Sequence, residues 1–240
     1  MPDLEYTIAP DIFAAHPGYC RGLLVVRGAR NDGSGAAVEA ALRAEEERLR
    51  ARVSAADVAT WPPVAAWREA YKKFGAKPSE HRSSIEAMTR RVVRPDQLPS
   101  INPLVDIGNL VSLRHSLPAG VHPLPLGDAA IALRLAASGD AFAPADGSPV
   151  EFAPAGEIVF AQDQAILTRR WTWRQAAGTQ TLPNTTDVFF NVDGLPPITR
   201  GDVESAMRDI EQLVRDHTGG RIVFSTVLTA EQPTVRFPNP

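Results

Sequence analysis

A single cysteine, Cys20, in 240 residues excludes an internal disulfide and a thiolate-rich metal site, and leaves a packed small hydrophobe as its reading. Long apolar runs are missing too. No segment approaches the roughly 18 consecutive apolar residues of a membrane-spanning helix, and the opening MPDLEYTIAP has neither a basic stretch leading into an apolar run nor a small-residue cleavage site. A cytoplasmic protein with no membrane partner is expected. The sequence also lacks G-x-x-x-x-G-K-[ST], G-x-G-x-x-G after a strand and G-x-S-x-G, so nucleotide hydrolysis, dinucleotide binding and common serine esterase chemistry have no support. Its five histidines, His16, His81, His115, His122 and His217, form no H-E-x-x-H or H-x-H pair and read as surface or packing residues. No metal and no cofactor are expected.

Charge is present but uneven. The chain carries a net −3, which argues against a general polyanion or DNA binder. Between residues 68 and 94, however, Arg68, Lys72, Lys73, Lys77, Arg82, Arg90, Arg91 and Arg94 face only Glu69, Glu80 and Glu86, an excess of five positive charges. Such a stretch is either a solvated helical surface or a face that holds a phosphate backbone in a salt-dependent way.

Apolar periodicity outlines the elements. Leu23–Val26 reads as a short buried strand, Asn31–Gly35 as a loop, and 37–53 as an amphipathic helix with Val38, Ala41, Leu42, Leu49 and Val53 on one stripe and Glu45, Glu46, Glu47, Arg48 and Arg50 opposite. Pro63 suits the start of a helix through Val64, Trp67, Tyr71 and Phe74 that is capped near Gly75. Ser83 and Glu86 form a capping-box pattern for a helix ending before Pro95, and Asn102-Pro103 opens another through Leu104, Ile107, Val111 and Arg114. Residues 129–135, 157–161, 165–171, 187–192 and 221–228 read as strands. A last helix is expected over about 202–217, ending at Gly219-Gly220, and Pro233, Pro238 and Pro240 predict a loose C-terminus. With no internal repeat, the prediction is one α+β domain over 1–240, built on a single twisted sheet or a sandwich.

A further set of residues, in one order and spacing, carries a family resemblance: Lys72-Lys73-Phe74-Gly75, Lys77-Pro78, His81 to Ala87, Arg90-Arg91-Val92, Leu98-Pro99, Ile101 to Asp106, and Asn109 to Ser112. Ile131 to Arg134, Gly156 to Phe160 and Arg169-Arg170-Trp171-Thr172-Trp173-Arg174 extend it, with Thr179 and Thr186. Over about 60–220 the chain resembles the B3/B4 editing domain of the phenylalanyl-tRNA synthetase beta subunit, here in free-standing form behind an N-terminal strand-helix extension. The resemblance implies a B3/B4-like α+β fold, with a mixed sheet or sandwich core flanked by helices. It also implies a chamber that hydrolyses the ester of a misacylated tRNA. The sequence shows no class II aminoacylation motif, so the expected enzyme is an aminoacyl-tRNA deacylase acting in trans, with aminoacyl-tRNA as its partner. Candidate substrates are tyrosyl-tRNA(Phe) and a non-protein amino acid such as canavanine on tRNA(Arg). The alternatives are a non-catalytic tRNA- or RNA-binding module and a small-molecule protein on the same scaffold.

An aminoacyl ester is already activated, so such a site needs only to seat the carbonyl, place water and stabilise the oxyanion. Under the resemblance, the catalytic candidates are Glu157, as a water-orienting or ammonium-binding carboxylate, and Asn102, as a polar donor. Their structural readings are a strand-leading surface carboxylate and a simple N-cap. Asp106, Ser112, Asp163, Arg170, Arg174 and Gln175 are substrate-binding candidates, Asp106 and Ser112 equally serving to orient their helix. Read as a strand, the Arg169–Arg174 run places Arg170, Thr172 and Arg174 on one face and Trp171 and Trp173 on the other. Its arginines either contact terminal phosphates or ribose, or form an ion network with Glu157 and Asp163. Lys72, Lys73, Lys77, Arg82, Arg90 and Arg91 are the tRNA-binding candidates. Two departures from the family pattern bear on the pocket: Gln175 stands where members often carry an acid, and the synthetase's P-x-H-A-F-D-like segment is replaced by Pro118 to Pro123, with His122 in a different register.

Overall fold

The structure, a computed structural model, describes residues 3–33, 35–94 and 96–239. Ser34, Pro95 and Pro240, which entered the expected loop, helix end and C-terminus, lie outside them. The described residues form, in chain order, β1 (Leu4–Ile8), α1 (Pro10–Ala15), β2 (Cys20–Arg27), α2 (Ala36–Arg52), α3 (Pro62–Lys73), α4 (Ser84–Val92), α5 (Pro103–His115) and β3 (Ala119–Pro123). They continue with β4 (Ile131–Leu135), β5 (Ala141–Phe142), β6 (Glu151–Phe152), β7 (Ile158–Gln162), β8 (Ala165–Arg169), β9 (Arg174–Gln175), β10 (Val188–Gly194), α6 (Arg200–Thr218), β11 (Arg221–Leu228) and β12 (Thr234–Phe237).

Two strands buried on both faces set the layering. Alternation along β2 and β10 sends Leu24, Val26, Val188, Phe190 and Val192 to one side, where they pack on Val38, Leu42, Ile107, Leu110, Val203 and Ile210 of α2, α5 and α6. The opposite side chains, Leu23, Val25 and Phe189, meet Tyr6, Ile131, Leu133, Ile158 and Phe160 of a second sheet. The first sheet runs β11-β2-β10-β3, and the second β12-β1-β4-β7-β8-β5-β6 with β9 pairing β8. The result is an α+β sandwich with helices over the outer face of the smaller sheet. Gly22 allows the close approach of α6, since a Cβ there would collide with Met207.

Helix starts follow their caps. Asn102 Oδ1 accepts from Val105 N at 3.1 Å, and Thr199 with Asp202 completes a reciprocal box at α6. Ser83 Oγ accepts from Glu86 N, but the Glu86 carboxylate turns instead to Arg68 and Arg90, at 2.6 and 2.8 Å, so only half of the expected box forms.

Three further expectations are corrected. Glu45 and Glu46 are buried rather than solvated, because α5 and the 96–98 segment cover that side of α2. Glu46 accepts from Arg43 and from Leu98 N at 2.8 Å, while Glu45 pairs with Arg48 and Arg114. The C-terminal stretch is not loose: β12 pairs antiparallel with β1, and Pro233 O accepts from Ile8 N at 2.9 Å. Pro233 and Pro238 flank β12 and so take no ladder position that needs an amide. The strand read over 165–171 stops at Arg169.

Removing the Glu46 carboxylate orphans the buried Leu98 amide while its arginine partners still reach solvent. Glu46→Ala is expected to cost about 2 kcal/mol, read as a lower urea midpoint with an unchanged denaturant slope.

Candidate functional site

Arginine and aspartate face each other across the two buried strands. The ladder pairs Arg21 of β2 directly with Asp193 of β10, both on the face that looks into the sandwich. Arg21 Nε donates to Asp193 Oδ1 at 2.7 Å, and both residues are almost wholly buried. Tyr19 Oη donates to the same oxygen at 2.5 Å, Arg21 Nη1 donates to Tyr6 Oη at 2.9 Å, and Tyr6 Oη donates to Asn191 Oδ1 at 2.8 Å. Burial pushes the Tyr6 phenol up to about 12, opposed by the Arg21 charge beside it, and raises Tyr19 as well. Both phenols therefore stay protonated and donate.

This network forms the floor of a cleft of about 210 Å³. Arg21, Asn191 and Asp193 line the cleft from below, Gly120, Val121 and His122 of β3 from one side, and Thr172 to Gln175 from above. Register explains the space: Gly120 lies opposite Asn191, and a Cβ built on Gly120 would meet nothing within 4 Å. His122, opposite Phe189, stacks on that ring at 5.1 Å. Gln175 Nε2 donates to Val121 O at 2.7 Å and approaches His122 Nδ1 at 3.2 Å, which fits a neutral ring protonated at Nε2 and facing Thr168 Oγ1 at 3.4 Å. Burial, helped by the Arg21 charge, drops the His122 imidazole from 6.5 to about 3.

The upper wall departs from the strand alternation expected of it. Arg169 pairs with Arg174 across a turn in which Arg170 and Trp171 adopt φ of 48° and 63°. Such backbone in two bulky residues is costly and persists only where packing holds it. Trp171 supplies that packing: its ring is buried, makes edge contacts with His16, Tyr19 and Trp67 at 4.9 Å each, and donates from Nε1 to Tyr19 Oη at 3.3 Å. The anchored turn projects Trp173 and Arg174 to the cleft, with the Arg174 guanidinium 4.6 Å from the Trp173 ring centre.

Of the residues singled out in the sequence, Arg174 and Gln175 line this cleft. Arg170 lines a separate cavity with Glu157, and Glu157 is engaged by Arg169 at 2.8 Å and Arg170 at 3.3 Å, the ion-network reading rather than an open carboxylate. Asn102 is used at both ends, capping α5 and donating to Thr181 O at 2.9 Å. Asp106 accepts from Ser100 Oγ and Ile101 N, and Ser112 bridges Gly108 O and Ala119 N, both orienting α5. Asp163 occupies the β7–β8 turn, where its backbone oxygen accepts from Arg134. In the basic stretch, Lys72 pairs with Glu69, Lys77 with Glu80, Arg91 with Asp96, and Arg90 with the Glu86 that also holds Arg68. Lys73 donates to Ala15 O, and Arg82 has no carboxylate within ion-pair distance among the described residues.

Sequence reasoning missed Arg21, Gly120, Asn191 and Asp193, and singled out His122 only as a departure from the family pattern. The signal available was β10 itself, where Asn191 and Asp193 fall at the same parity as Phe189 in an otherwise apolar strand. Among the described residues no group of three or more His, Cys, Asp or Glu is placed to hold a metal, and no helix is long and apolar enough to cross a membrane.

A family model described as the B3/4 domain matches residues 66–218. A search of curated proteins by sequence finds no match. By structure, the chain is similar to the crystal structure of an N-terminal fragment of the phenylalanyl-tRNA synthetase beta-subunit from Pyrococcus horikoshii, with 11% identity and a TM-score of 0.46. That alignment covers 93% of this chain and 53% of the fragment, so the chain spans about half the fragment's length.

Two outcomes follow from the floor and the histidine. Asp193→Asn leaves Arg21 buried without a counter-charge and is expected to cost about 3–5 kcal/mol in chemical denaturation. His122 stays neutral in the fold while the unfolded chain takes up its proton near pH 6.5. Stability should therefore fall, as pH drops from 6.5 towards 3, by up to about 1.4 kcal/mol per pH unit from this group. His122→Gln should flatten the pH dependence of the urea midpoint in that window; an unchanged slope would show that the imidazole is charged in the folded protein.

Proposed function

Since the chain belongs to the B3/4 domain family, we propose that it is an aminoacyl-tRNA deacylase acting in trans, and that the cleft above Arg21, Asn191 and Asp193 receives the aminoacyl group. The observation that carries this reading is the cleft's construction: a polar, buried floor beneath a space kept open by Gly120, with Trp173 and Arg174 above. The N-terminal extension contributes directly, because Arg21 and Tyr19 lie outside the matched segment yet hold Asp193.

Hydrolysis of the ester joins a water oxygen to the carbonyl carbon and breaks that carbon's bond to the terminal ribose oxygen. The products are a free amino acid and an uncharged tRNA. No covalent enzyme intermediate is needed, and the neighbouring ribose hydroxyl of the substrate can position the water. The protein's task is orientation in a water-poor cleft. The carboxylate of Asp193 takes the place envisaged for Glu157, Asp106 or Asp163 in binding a side chain that ends in a hydrogen-bond donor. A phenol hydroxyl or a guanidino-like cation fits that description, and these are the groups of tyrosyl-tRNA(Phe) and of canavanine on tRNA(Arg). Exposed Arg82, and Lys73 and Arg174 where they leave Ala15 O and Asp146, supply cations for the RNA backbone.

Because Asp193 substitutions are expected to destabilise the fold as well, the clean probe is Gly120→Leu, which fills the cleft from a strand position. Against a panel of misacylated tRNAs, the wild type should accelerate ester loss from at least one member. Gly120→Leu should lose at least about 100-fold of that rate, in keeping with loss of substrate positioning, while melting within a few degrees of wild type. Glu157→Gln should retain cleft chemistry wherever it folds. Binding without accelerated hydrolysis across the whole panel would favour the non-catalytic RNA-binding alternative.

A further inference from the structure

A second cavity, about 320 Å³, adjoins the aromatic wall of the cleft. Lys77, Glu80, His81, Pro154, Glu157 and Arg170 line it. Trp173 joins the two spaces: its ring lines the cleft, while the Arg170 guanidinium lies 4.5 Å from its centre and the His81 ring meets it edge-on at 4.8 Å. Among the described residues six buried side-chain nitrogen or oxygen atoms have no hydrogen-bond partner, and two of them, Arg170 Nη1 and His81 Nδ1, belong to residues of this one cavity. A guanidinium N–H buried without an acceptor is among the costliest groups to leave unpaired. Arg170 is about nine-tenths buried, and burial lowers its basicity.

The neighbouring charges leave that Nη1 unspent. Arg170 uses Nε on Glu157 at 3.3 Å, and Arg169 holds the same carboxylate at 2.8 Å. Glu151, half-exposed, binds the outer end of Arg169, which brings the cluster to neutrality. Glu80 is taken by Lys77 at 3.2 Å on the surface, and Arg82 follows His81 in sequence as an exposed cation. Both orphaned nitrogens call for an acceptor, His81 when protonated at Nδ1, and a compact group with several oxygens is the chemistry that supplies one to each, with Lys77 a further cation in the same lining.

We propose that this cavity is a phosphate subsite, in which Arg170 Nη1 and His81 Nδ1 donate to the oxygens of a phosphate whose attached nucleoside passes Trp173 into the main cleft. The assignment rests on the cleft receiving an aminoacylated RNA end. It adds that the RNA's terminal backbone is gripped here, by two residues of the His81–Arg170 pair rather than by the lysine-rich helix α3.

Binding of adenosine, 5′-AMP, inorganic phosphate and a minihelix RNA ending in CCA, followed by calorimetry and by tryptophan fluorescence, tests the subsite. AMP should bind at least about tenfold more tightly than adenosine, the worth of a charge-assisted hydrogen bond. His81→Ala should bring AMP to the adenosine level and leave adenosine unchanged. Arg170→Lys, which keeps a cation beside Glu157, should do the same with little change in melting temperature, so that loss of fold is not mistaken for loss of the subsite. Equal affinity for AMP and adenosine, or a phosphate preference that survives His81→Ala, would overturn the proposal. A minihelix weakened by His81→Ala as much as AMP identifies the phosphate as RNA backbone. If AMP and inorganic phosphate are weakened but the minihelix is not, the subsite stands as one for a free phosphate compound and the RNA reading of the cleft fails. Retained phosphate binding without ester hydrolysis on any tRNA would remove the deacylase reading alone.

Discussion

The cross-strand pair of Arg21 and Asp193 is the constraint around which the site is arranged. Two opposite charges inside a sandwich are tolerable only when their remaining hydrogen-bonding capacity is met, because desolvation otherwise exceeds their attraction. Here the partners come from separate elements: Tyr6 from β1 accepts from Arg21 and donates on to Asn191 of β10, and Tyr19, the residue before β2, donates to Asp193. Tyr19 in turn receives the Trp171 indole, so the charge pair, the first strand and the strained turn share one network. A floor held this way cannot collapse on the cleft, and the apolar sandwich interior of Leu23, Val25 and Phe189 gives way to a polar end within two residues.

Other buried acids show by contrast what scaffolding looks like. Glu46 and Glu86 tie helices to their neighbours through arginines, Asp106 fixes the entry to α5, and Asp140 is gripped by both arms of Arg134. Glu157 belongs with them, bound between Arg169 and Arg170. Each is positioned by arginines or backbone amides away from the cleft, whereas Asp193 lines it. The same distinction separates Asn102 from Asn191: the first spends its oxygen on a helix amide and its nitrogen on Thr181, the second stands on the cleft floor.

Much of the fold was legible because its signals are local. The caps at Ser83 and Asn102, the apolar stripes of α2 to α6 and the β-rich runs of β4, β7, β8, β10 and β11 lie in contiguous stretches, and they formed close to where periodicity placed them. What escaped notice was short or paired at long range: β1 with β12, whose partners are more than 200 residues apart, and the small strands β5, β6 and β9. The turn at 170–173 was read as strand because its residues favour strand. The positive φ of Arg170 and Trp171 is imposed by the burial of Trp171 against rings from three distant segments, which no local rule registers.

By itself, then, the sequence determined the α+β class, the positions of α2 to α6 and the family resemblance, since these rest on composition, caps and ordered motifs along the chain. Tertiary structure decided which polar residues line the cleft and which pair elsewhere. Arg21 and Asp193 are 172 residues apart and meet only through strand register, and Gly120 opens a space only because the same register sets it opposite Asn191. Residues that looked catalytic by type, Glu157 and Asn102 among them, were claimed by arginines and amides that pairing brought to them. A side chain's availability depends on what folding leaves unpaired, and that is a property of the assembled sandwich.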